Sequence, residues 1–584
     1  MELGLVGSGP AADAIEAACE DVSLSVRQVD PDVLTAAVDS NGSESADQSA
    51  TLPDVGAVVA PAGAAVFPAA STVFQRWVSV EIGGLGGHCF EELDAGVSLY
   101  SPESACYQCL QTRVGAQAET DRPSEPRGSR SSVRLAGAVA GNQLISLLAG
   151  ETTGGRITEL PGAERTLLAV PDCRCETAEQ PARSMALSHR TVAVEESLAR
   201  AERAVDDRLG LISQVGERES FPVPYYIAET ADTTGFSDTR AAQFAAGVDP
   251  DWDRAYMKAL GEGLERYSAG VYRTDQFETG SVRTRSDAVS PRQFVRPEGF
   301  PEPGPAAQIS WIEGRKLPEN ESVSLPAEFV VFPPPTRQYR PAITTGLGLG
   351  NSTVEAILSG LYEVIERDAT MIGWYSTFEP LGLAVEDAGF DELCKRAGAE
   401  SLSVTPLLVT QDIDVPVVAV AVHRDGDWPQ FAVGSAAGLD PTEVARSALA
   451  EALQNWMELR AMGPETAAEQ GGAIAEYADF PAAAKQFVDP ESYIPADSLG
   501  ESVSTGRKEL EAVCDRLDAV GLVSYAARLT PRDVAALGFE AVRVVVPQAQ
   551  PLFTGEPFFG ERAQTVPDSL GFVPRLDRTY HPYP

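Results

Sequence analysis

Three predicted helices in the second half of the sequence carry glutamates at spacings that place them on shared faces. Arg254–Tyr272 holds Glu262 and Glu265, three apart and next to Arg266. Ser352–Tyr375 holds Glu355, Glu363 and Glu366, followed by Arg367 and Asp368. Steps of eight and then three keep those carboxylates on one broad stripe at 3.6 residues per turn. Pro441–Arg460 adds Glu451 and Gln454. Their neighbours are largely apolar (Leu260, Leu264, Leu361, Ile365, Leu449, Leu453), so these groups border a buried side. Carboxylates crowded on such a face raise one another's pKa unless a cation neutralises them. Oxygen-only ligands select magnesium or calcium, and magnesium bridges such groups to phosphate. The pattern predicts a glutamate cage holding Mg2+ against a nucleotide; three acidic helix surfaces in an acidic protein would read the same way. The run Gly346-Leu-Gly-Leu-Gly350-Asn351-Ser352-Thr353 favours the cage, as a flexible glycine stretch ending at a capped helix can present N–H groups to phosphate. It is not a Walker loop, because no Gly-Lys-Ser/Thr follows.

Four of the eight cysteines form two tight pairs, Cys106-x-x-Cys109 and Cys173-x-Cys175, each expected on a turn. Soft sulfur ligands in this arrangement suit a tetrahedral zinc, and with four thiolates no position stays open for water. Such a zinc is a staple rather than a catalyst. Two unrelated pairs of ordinary thiols, or a redox dithiol, are the competing readings. Cys19, Cys89, Cys394 and Cys514 are scattered and expected to be buried and unreactive. His88, His189 and His423 form no constellation with Ser or Cys.

The elements that must hold these groups fall into two parts. The first strand candidate, Leu3–Val6, leads through Gly7-Ser-Gly9-Pro10 into a helix ending near Cys19, then a strand from Ser23 to Val29: a Rossmann-like opening whose glycine fingerprint is incomplete. That turn reads either as structural or as a nucleotide contact. Residues 40–52 and 115–132 read as loops, Val133–Leu148 as a helix, and Thr166–Val170 as a short strand delivering the second cysteine pair. Val192–Leu209 reads as a helical connection, with the main boundary at 180–205. Beyond it, strands alternate with the three helices: Glu328–Phe332, Val404–Thr410, Val417–Val422, Gln430–Ala436, Leu522–Arg528 and Ala541–Val546. No internal repeat is visible. The class is mixed α/β and α+β, in two domains, 1–190 and 205–584.

The 584 residues exceed what one core accommodates, and a 43% apolar content is ordinary for a globular protein. A formal net charge of −40 argues against nucleic acid and anionic membranes as partners. It reads as halophilic adaptation to a salt-rich cytoplasm, or else as an acidic groove for a basic partner. No membrane-length apolar run and no secretory signal are evident, which points to a cytoplasmic protein.

The segment AYMKALGEGLERYSAG (255–270) resembles the first signature element of the YcaO family, GLGLGNSTVEAILSGLYEVIERDA (346–369) its second, and PTEVARSALAEALQ (441–454) its third. The likeness spans roughly 205–584. It implies an ATP- and Mg2+-dependent enzyme that phosphorylates a peptide or protein backbone amide. Position by position, Glu262, Glu265, Asn351, Glu355, Glu363, Glu366 and Arg367 match the family's nucleotide and metal residues, with Glu451 and Gln454 matching less closely. Glu366 and Arg367 are the implied catalytic pair. Thr344-Thr345-Gly346 stands where the family often has Ser-Asn-Gly. The end Tyr580-His-Pro-Tyr-Pro584 only partly matches the Pro-x-Pro-x-Pro of azoline-forming members, and reads equally as a solvated terminus. The N-terminal part is similar to the ThiF-like partner domain fused to some cyclodehydratases, on its Rossmann-like start, the string Cys106-x-x-Cys109-Leu110-x-x-Arg113 and the second cysteine pair. Such domains recruit substrate and bind structural zinc. Some of these proteins carry a peptide-binding module ahead of that domain, whereas this sequence opens directly on the glycine turn, so leader-peptide recognition stays an open expectation. The resemblance implies a homodimer, a peptide or protein substrate, and cyclodehydration or thioamidation with a possible sulfur donor or accessory protein, as in biosynthesis of ribosomal peptide products (RiPPs). An accessory role in ribosomal-protein methylthiolation and a nucleotide-binding scaffold are the alternatives.

Overall fold

The computed structural model describes residues 2–39, 52–117, 125–173, 175, 185–470, 472–499, 505–578 and 580–583. Apolar alternation around the first glycine turn produces the expected strand–helix–strand: Glu2–Val6, Pro10–Asp21 and Ser25–Val29. They open a seven-stranded sheet in which Ser25–Val29, Glu2–Val6, Val55–Pro61 and Arg76–Ile82 run parallel, continued antiparallel by Ala95–Tyr100, Arg156–Leu160 and Ala163–Thr166. Gly7 is required here: its φ is 103°, and a Cβ would lie 2.1 Å from the Val59 carbonyl oxygen.

The remaining sheets are antiparallel or mixed, and three of their edge strands feed the long helices. Phe244–Val248 (β1) is the edge of a three-stranded sheet and turns into Trp252–Gly270 (α1). Leu347–Gly350 (β2) is the edge of a six-stranded sheet and turns into Thr353–Trp374 (α2). Phe431–Ala437 (β3) is the edge of a five-stranded sheet and turns into Pro441–Met462 (α3). Asp251, Ser352 and Asp440 cap the three helices through side-chain oxygens. In each unit a strand glycine lets the helix lie directly on the backbone. A Cβ on Gly247 would meet Ala259 N at 2.1 Å, on Gly348 the Ala356 oxygen at 2.1 Å, and on Gly434 Ala452 N at 2.4 Å. The unit is thus repeated three times, although the sequence shows no repeat: only one glycine and small helix residues are needed, and the rest is free to differ.

Several local expectations are corrected. The stretch Gly346–Gly350 is not a flexible loop: Leu347–Gly350 pairs with Glu540–Arg543, so its glycines serve close packing. Residues 115–132 are loop only in part. One helix runs from Tyr107 to Gln117 and the next starts at Arg130 behind the Ser129 cap, while 118–124 lie outside the described residues. The strand expected at Thr166–Val170 ends at Thr166. The strand expected at Glu328–Phe332 is Glu321–Pro326, and Ala327–Phe329 is a 3-10 turn, because Pro326 closes the ladder. Of the loop expected at 40–52, residues 40–51 lie outside the described residues.

The two parts share one apolar cluster. Residues of the N-terminal sheet and of helix Tyr107–Gln117 pack with Leu260, Leu264 and Tyr267 of α1 and with Val534, Leu537 and Phe539. Among the described residues no helix is long and apolar enough to cross a membrane.

Candidate active site

β1, β3 and the residue just ahead of β2 each donate a backbone N–H to a glutamate of the helix that follows. Ala246 N donates to Glu262 (2.9 Å), Gly346 N to Glu363 (2.9 Å) and Ser435 N to Glu451 (2.7 Å). An edge strand has N–H groups with no ladder partner, and the close helix brings a carboxylate within reach. One carboxylate from each of the three helices is thereby held at a strand edge.

Glu366 stands one turn beyond Glu363 and is 8% exposed. The Ser435 hydroxyl donates to it at 2.7 Å, so this one serine holds both Glu366 and Glu451. Arg367 lies 3.5 Å from Glu366. Burial pushes the Glu366 carboxyl up to about 8; Arg367 opposes this, while Glu451 and Glu363 add to it. Burial likewise pushes Glu265 up to about 8, with Glu363 the next contributor. Glu451 is raised, again chiefly by burial. Arg543, 2% exposed, donates to the Ile343 and Thr344 carbonyls and feels Glu363 and Glu265; burial lowers it to about 10. Glu363 thus bears on Glu265, Glu366 and Glu451 alike, while Arg367 opposes the shift at Glu366 and Glu451, and Arg543 that at Glu265.

The other expected residues lie apart. Glu355 is exposed at the start of α2, accepting from Asn351 N at 2.9 Å. It is eleven residues from Glu366, about 16 Å along the helix axis. Gln454 donates to Glu458 (3.0 Å), which also accepts from Tyr225 (2.8 Å). Two backbone N–H groups at the start of α2 are engaged within the chain: Val354 N donates to the Ser188 carbonyl and Glu355 N to the Ser352 hydroxyl. These two are therefore not available to a phosphate.

Among the described residues the four cysteines are the one set of metal-ligating atoms within 4.8 Å of one another; the glutamates are spread more widely. That spread fits magnesium, which binds through one or two carboxylates and completes its shell with phosphate and water.

Ser435 is invisible in the sequence because its role depends on two helices distant along the chain. The C-terminal segment is a second omission. Tyr583 is 3% exposed, its phenol raised chiefly by burial with Glu366 adding to the shift, while His581 is held by the Phe553 carbonyl at 2.6 Å and the Tyr580 carbonyl accepts from Tyr477 at 2.6 Å. Tyr580 is exposed, but residues 581–583 are not a solvated end. Asp368 is a third: fully buried beside Arg367, it accepts from both Arg562 (2.6 Å) and Gln550 N (2.7 Å), and Arg562 also grips Asp412.

The cysteine pairs meet. Cys106 Sγ is 3.5 Å from Cys173 and 3.8 Å from Cys109, and Cys109 is 3.7 Å from Cys175. A zinc with sulfurs at about 2.3 Å sets tetrahedral neighbours about 3.8 Å apart, so the sulfurs fit that ion. Cys109 stands in the first turn of helix Tyr107–Gln117 with Cys106 just ahead of it, and not on a free turn. Val170 N donates to Cys109 (3.3 Å) and Arg532 to Cys175 (3.2 Å), offsetting thiolate charge. Metal analysis is expected to find about one zinc per chain, lost in Cys109→Ser and retained in Cys19→Ser, since Cys19 is buried away from the set. Equal zinc in both variants would exclude the assignment. Cys514 is buried as expected, whereas Cys89 and Cys394 are half-buried.

A family model described as YcaO cyclodehydratase, ATP- and Mg2+-binding, matches residues 246–550. An uncharacterized protein of Methanothermobacter thermautotrophicus is 30% identical over 328 residues, covering 53% of this chain and 82% of that protein. Among solved structures, a heterocyclase in complex with substrate and cofactor superposes with a TM-score of 0.73 at 18% identity, covering 98% of this chain and 83% of that one. The heterocyclase TruD gives 0.65 at 17% identity, covering 98% and 82%. At these identities the structures establish the fold, which extends over both parts of the chain.

Proposed function

As the chain belongs to the YcaO family of ATP- and Mg2+-binding cyclodehydratases, we propose that it activates a backbone amide of a peptide or protein by phosphorylating the amide oxygen. The observation that carries this reading is the set of mutually repelling carboxylates, Glu265, Glu363, Glu366 and Glu451, gathered from three helices beside Arg367. A divalent cation relieves such a set and takes phosphate oxygens on its other side.

A substrate Cys, Ser or Thr side chain gives up its proton to solvent and adds to the amide carbon, closing a five-membered ring, and the resulting oxyanion attacks the γ-phosphorus of ATP, displacing ADP. The carbon–oxygen bond then breaks, phosphate departs with the oxygen, nitrogen loses its proton, and the carbon–nitrogen double bond that forms makes the ring an azoline. Mg2+, when bound by Glu265, Glu363, Glu366 and Glu451, neutralises phosphate charge. Arg367 supplies the fixed cation beside it, Ser435 keeps Glu366 and Glu451 in place, and Glu262, Gln454, Asn351 and Glu355 line the extended remainder. The N-terminal part, residues 1–190, is read as a fused substrate-recruiting unit stapled by zinc, and 205–584 as the catalytic domain.

The test compares peptide masses from source cells carrying the intact gene and the Glu366→Gln variant. Loss of one water on a Cys-, Ser- or Thr-containing peptide in the intact strain alone supports the azoline reading. Exchange of oxygen for sulfur moves it to thioamidation, and identical masses reject it in favour of a nucleotide-binding scaffold.

A further inference from the structure

Arg340 lies in the loop between the 3-10 turn Ala327–Phe329 and β2, and is 8% exposed. Its guanidinium carbon stands 4.4 Å from the centroid of the Phe329 ring and 5.7 Å from that of Phe294, and the two rings stack at 4.2 Å. Among the described residues nothing hydrogen-bonds or ion-pairs with this guanidinium. The carboxylate that bears on it, Glu328, accepts instead from the backbone N–H groups of Tyr339 (2.6 Å) and Arg340 (3.3 Å). Burial, with the like charge of Arg543 adding to it, lowers Arg340 to about 9, so the group stays protonated at neutral pH. A buried guanidinium is almost always found with a counter-charge. Ring stacking engages its face and leaves its five in-plane N–H donors unused.

A cavity of about 30 Å3 opens at this arginine, with Thr345 and Gln550 as its other polar groups and Phe294, Ile343 and Val364 in an otherwise apolar wall. The Thr345 hydroxyl has no hydrogen-bond partner among the described residues. Gln550 is spent: its Nε2 donates to the Pro551 and Phe558 carbonyls, and its Oε1 accepts from Gly560 N. The loop presenting the two free donors is fixed from behind, because Arg543 donates to the Ile343 and Thr344 carbonyls. Donors without acceptors, around a buried cation, call for an anion. Size decides which one. A water needs about 10–15 Å3, so the cavity has room for about two oxygen-sized atoms, too few for a phosphate group. Two coplanar oxygens also match the guanidinium fork.

We propose that this cavity is a carboxylate-binding site, with the Arg340 guanidinium as its fork and the Thr345 hydroxyl as its second donor. The ligand sits beside the contact that holds Glu363: Thr345 precedes Gly346, whose N–H donates to Glu363, and Val364 belongs to the cavity wall. The same two oxygens are carried by a small free acid and by the C-terminus of a peptide.

The experiment is thermal melting and calorimetric titration of the full-length protein with sodium acetate, exchanged for sodium chloride at constant ionic strength. Acetate binds saturably, with a Kd on the order of 1 mM, and raises the melting temperature as it does so. Arg340→Met weakens this binding about tenfold or more, the scale of a charge-assisted fork, and Thr345→Val weakens it severalfold. In chloride alone Arg340→Met melts no lower than the parent, since it removes a buried charge that has no partner there; a merely structural arginine would melt lower in both salts. Where Arg340→Met does not fold, Thr345→Val carries the comparison. N-Acetylglycine, which ends as a peptide does, separates the sources: binding as tight as acetate assigns the site to a peptide C-terminus, and binding of acetate alone assigns it to a small free acid. Absence of a saturable response to acetate, or an undiminished response in folded Arg340→Met or in Thr345→Val, overturns the proposal.

Discussion

Glu366→Gln is expected to reduce ATP turnover by about three orders of magnitude while leaving the fold intact. Glutamine keeps the length of the side chain and an oxygen to accept the Ser435 hydroxyl, now at 2.7 Å. What it removes is the carboxylate charge beside Arg367 and Glu451 that would hold the metal ion against the phosphates. The same group makes a second, independent prediction about pH. With Glu366 raised to about 8 from an ordinary 4.5, the folded metal-free protein keeps a proton that the unfolded chain has released. Between those two values the folded state binds more protons, so stability falls as pH rises, at up to about 1.4 kcal/mol per pH unit for this group. Glu265, also raised to about 8, adds in the same direction. Denaturation followed at several pH values from 5 to 8 in a chelator should show this slope, reduced in Glu366→Gln and flattened by Mg2+ and ATP. Parental turnover in the variant would remove Glu366 from the machinery, and a stability that rises over that interval would contradict its buried, proton-retaining state.

Arg113→Ala is expected to cost about 3–5 kcal/mol, because it strands a buried carboxylate. Arg113, from the helix that carries the first cysteine pair, lies 2.5 Å from Asp533, with side-chain exposures of 2% and 0%. Tyr267 of α1 donates to Asp533 at 2.6 Å and accepts from Arg113 at 3.2 Å. The neighbouring Arg532 reaches back to the Val170 carbonyl and to Cys175. Two consecutive residues thus fasten the zinc-type unit to the helix bearing Glu262 and Glu265. Replacing both Arg113 and Asp533 by apolar residues of similar volume should recover most of the loss, since the charges are then removed together and the apolar cluster around them remains. Thermal melting and limited proteolysis of both variants would report this. If Arg113→Ala melts with the parent, the pair does not hold the parts together.

Much of the architecture was legible before any coordinates. The three helices were placed within two residues of their observed ends, because long 3.6-residue periodicity with Asp or Ser caps has few other readings. The opening strand–helix–strand and the meeting of the two cysteine pairs were legible for the same reason: spacing within one element or one ligand set constrains the answer locally. The misplaced strand at Glu328–Phe332 shows the limit, as apolar residues there fill the core beyond the ladder's last pair instead of extending it.

The sequence by itself determined which residue types sit on which helix faces: glutamates on a half-buried stripe and sulfurs in pairs. Tertiary structure alone decided which of those faces meet. It placed two edge strands and the residue ahead of a third so that each donates an N–H to a carboxylate, set Ser435 between Glu366 and Glu451, and turned Asn351 toward the connection between the parts. The physical reason is that periodicity reports the environment a side chain needs, whereas its partner comes from sequence separations of up to several hundred residues, and only packing chooses among them.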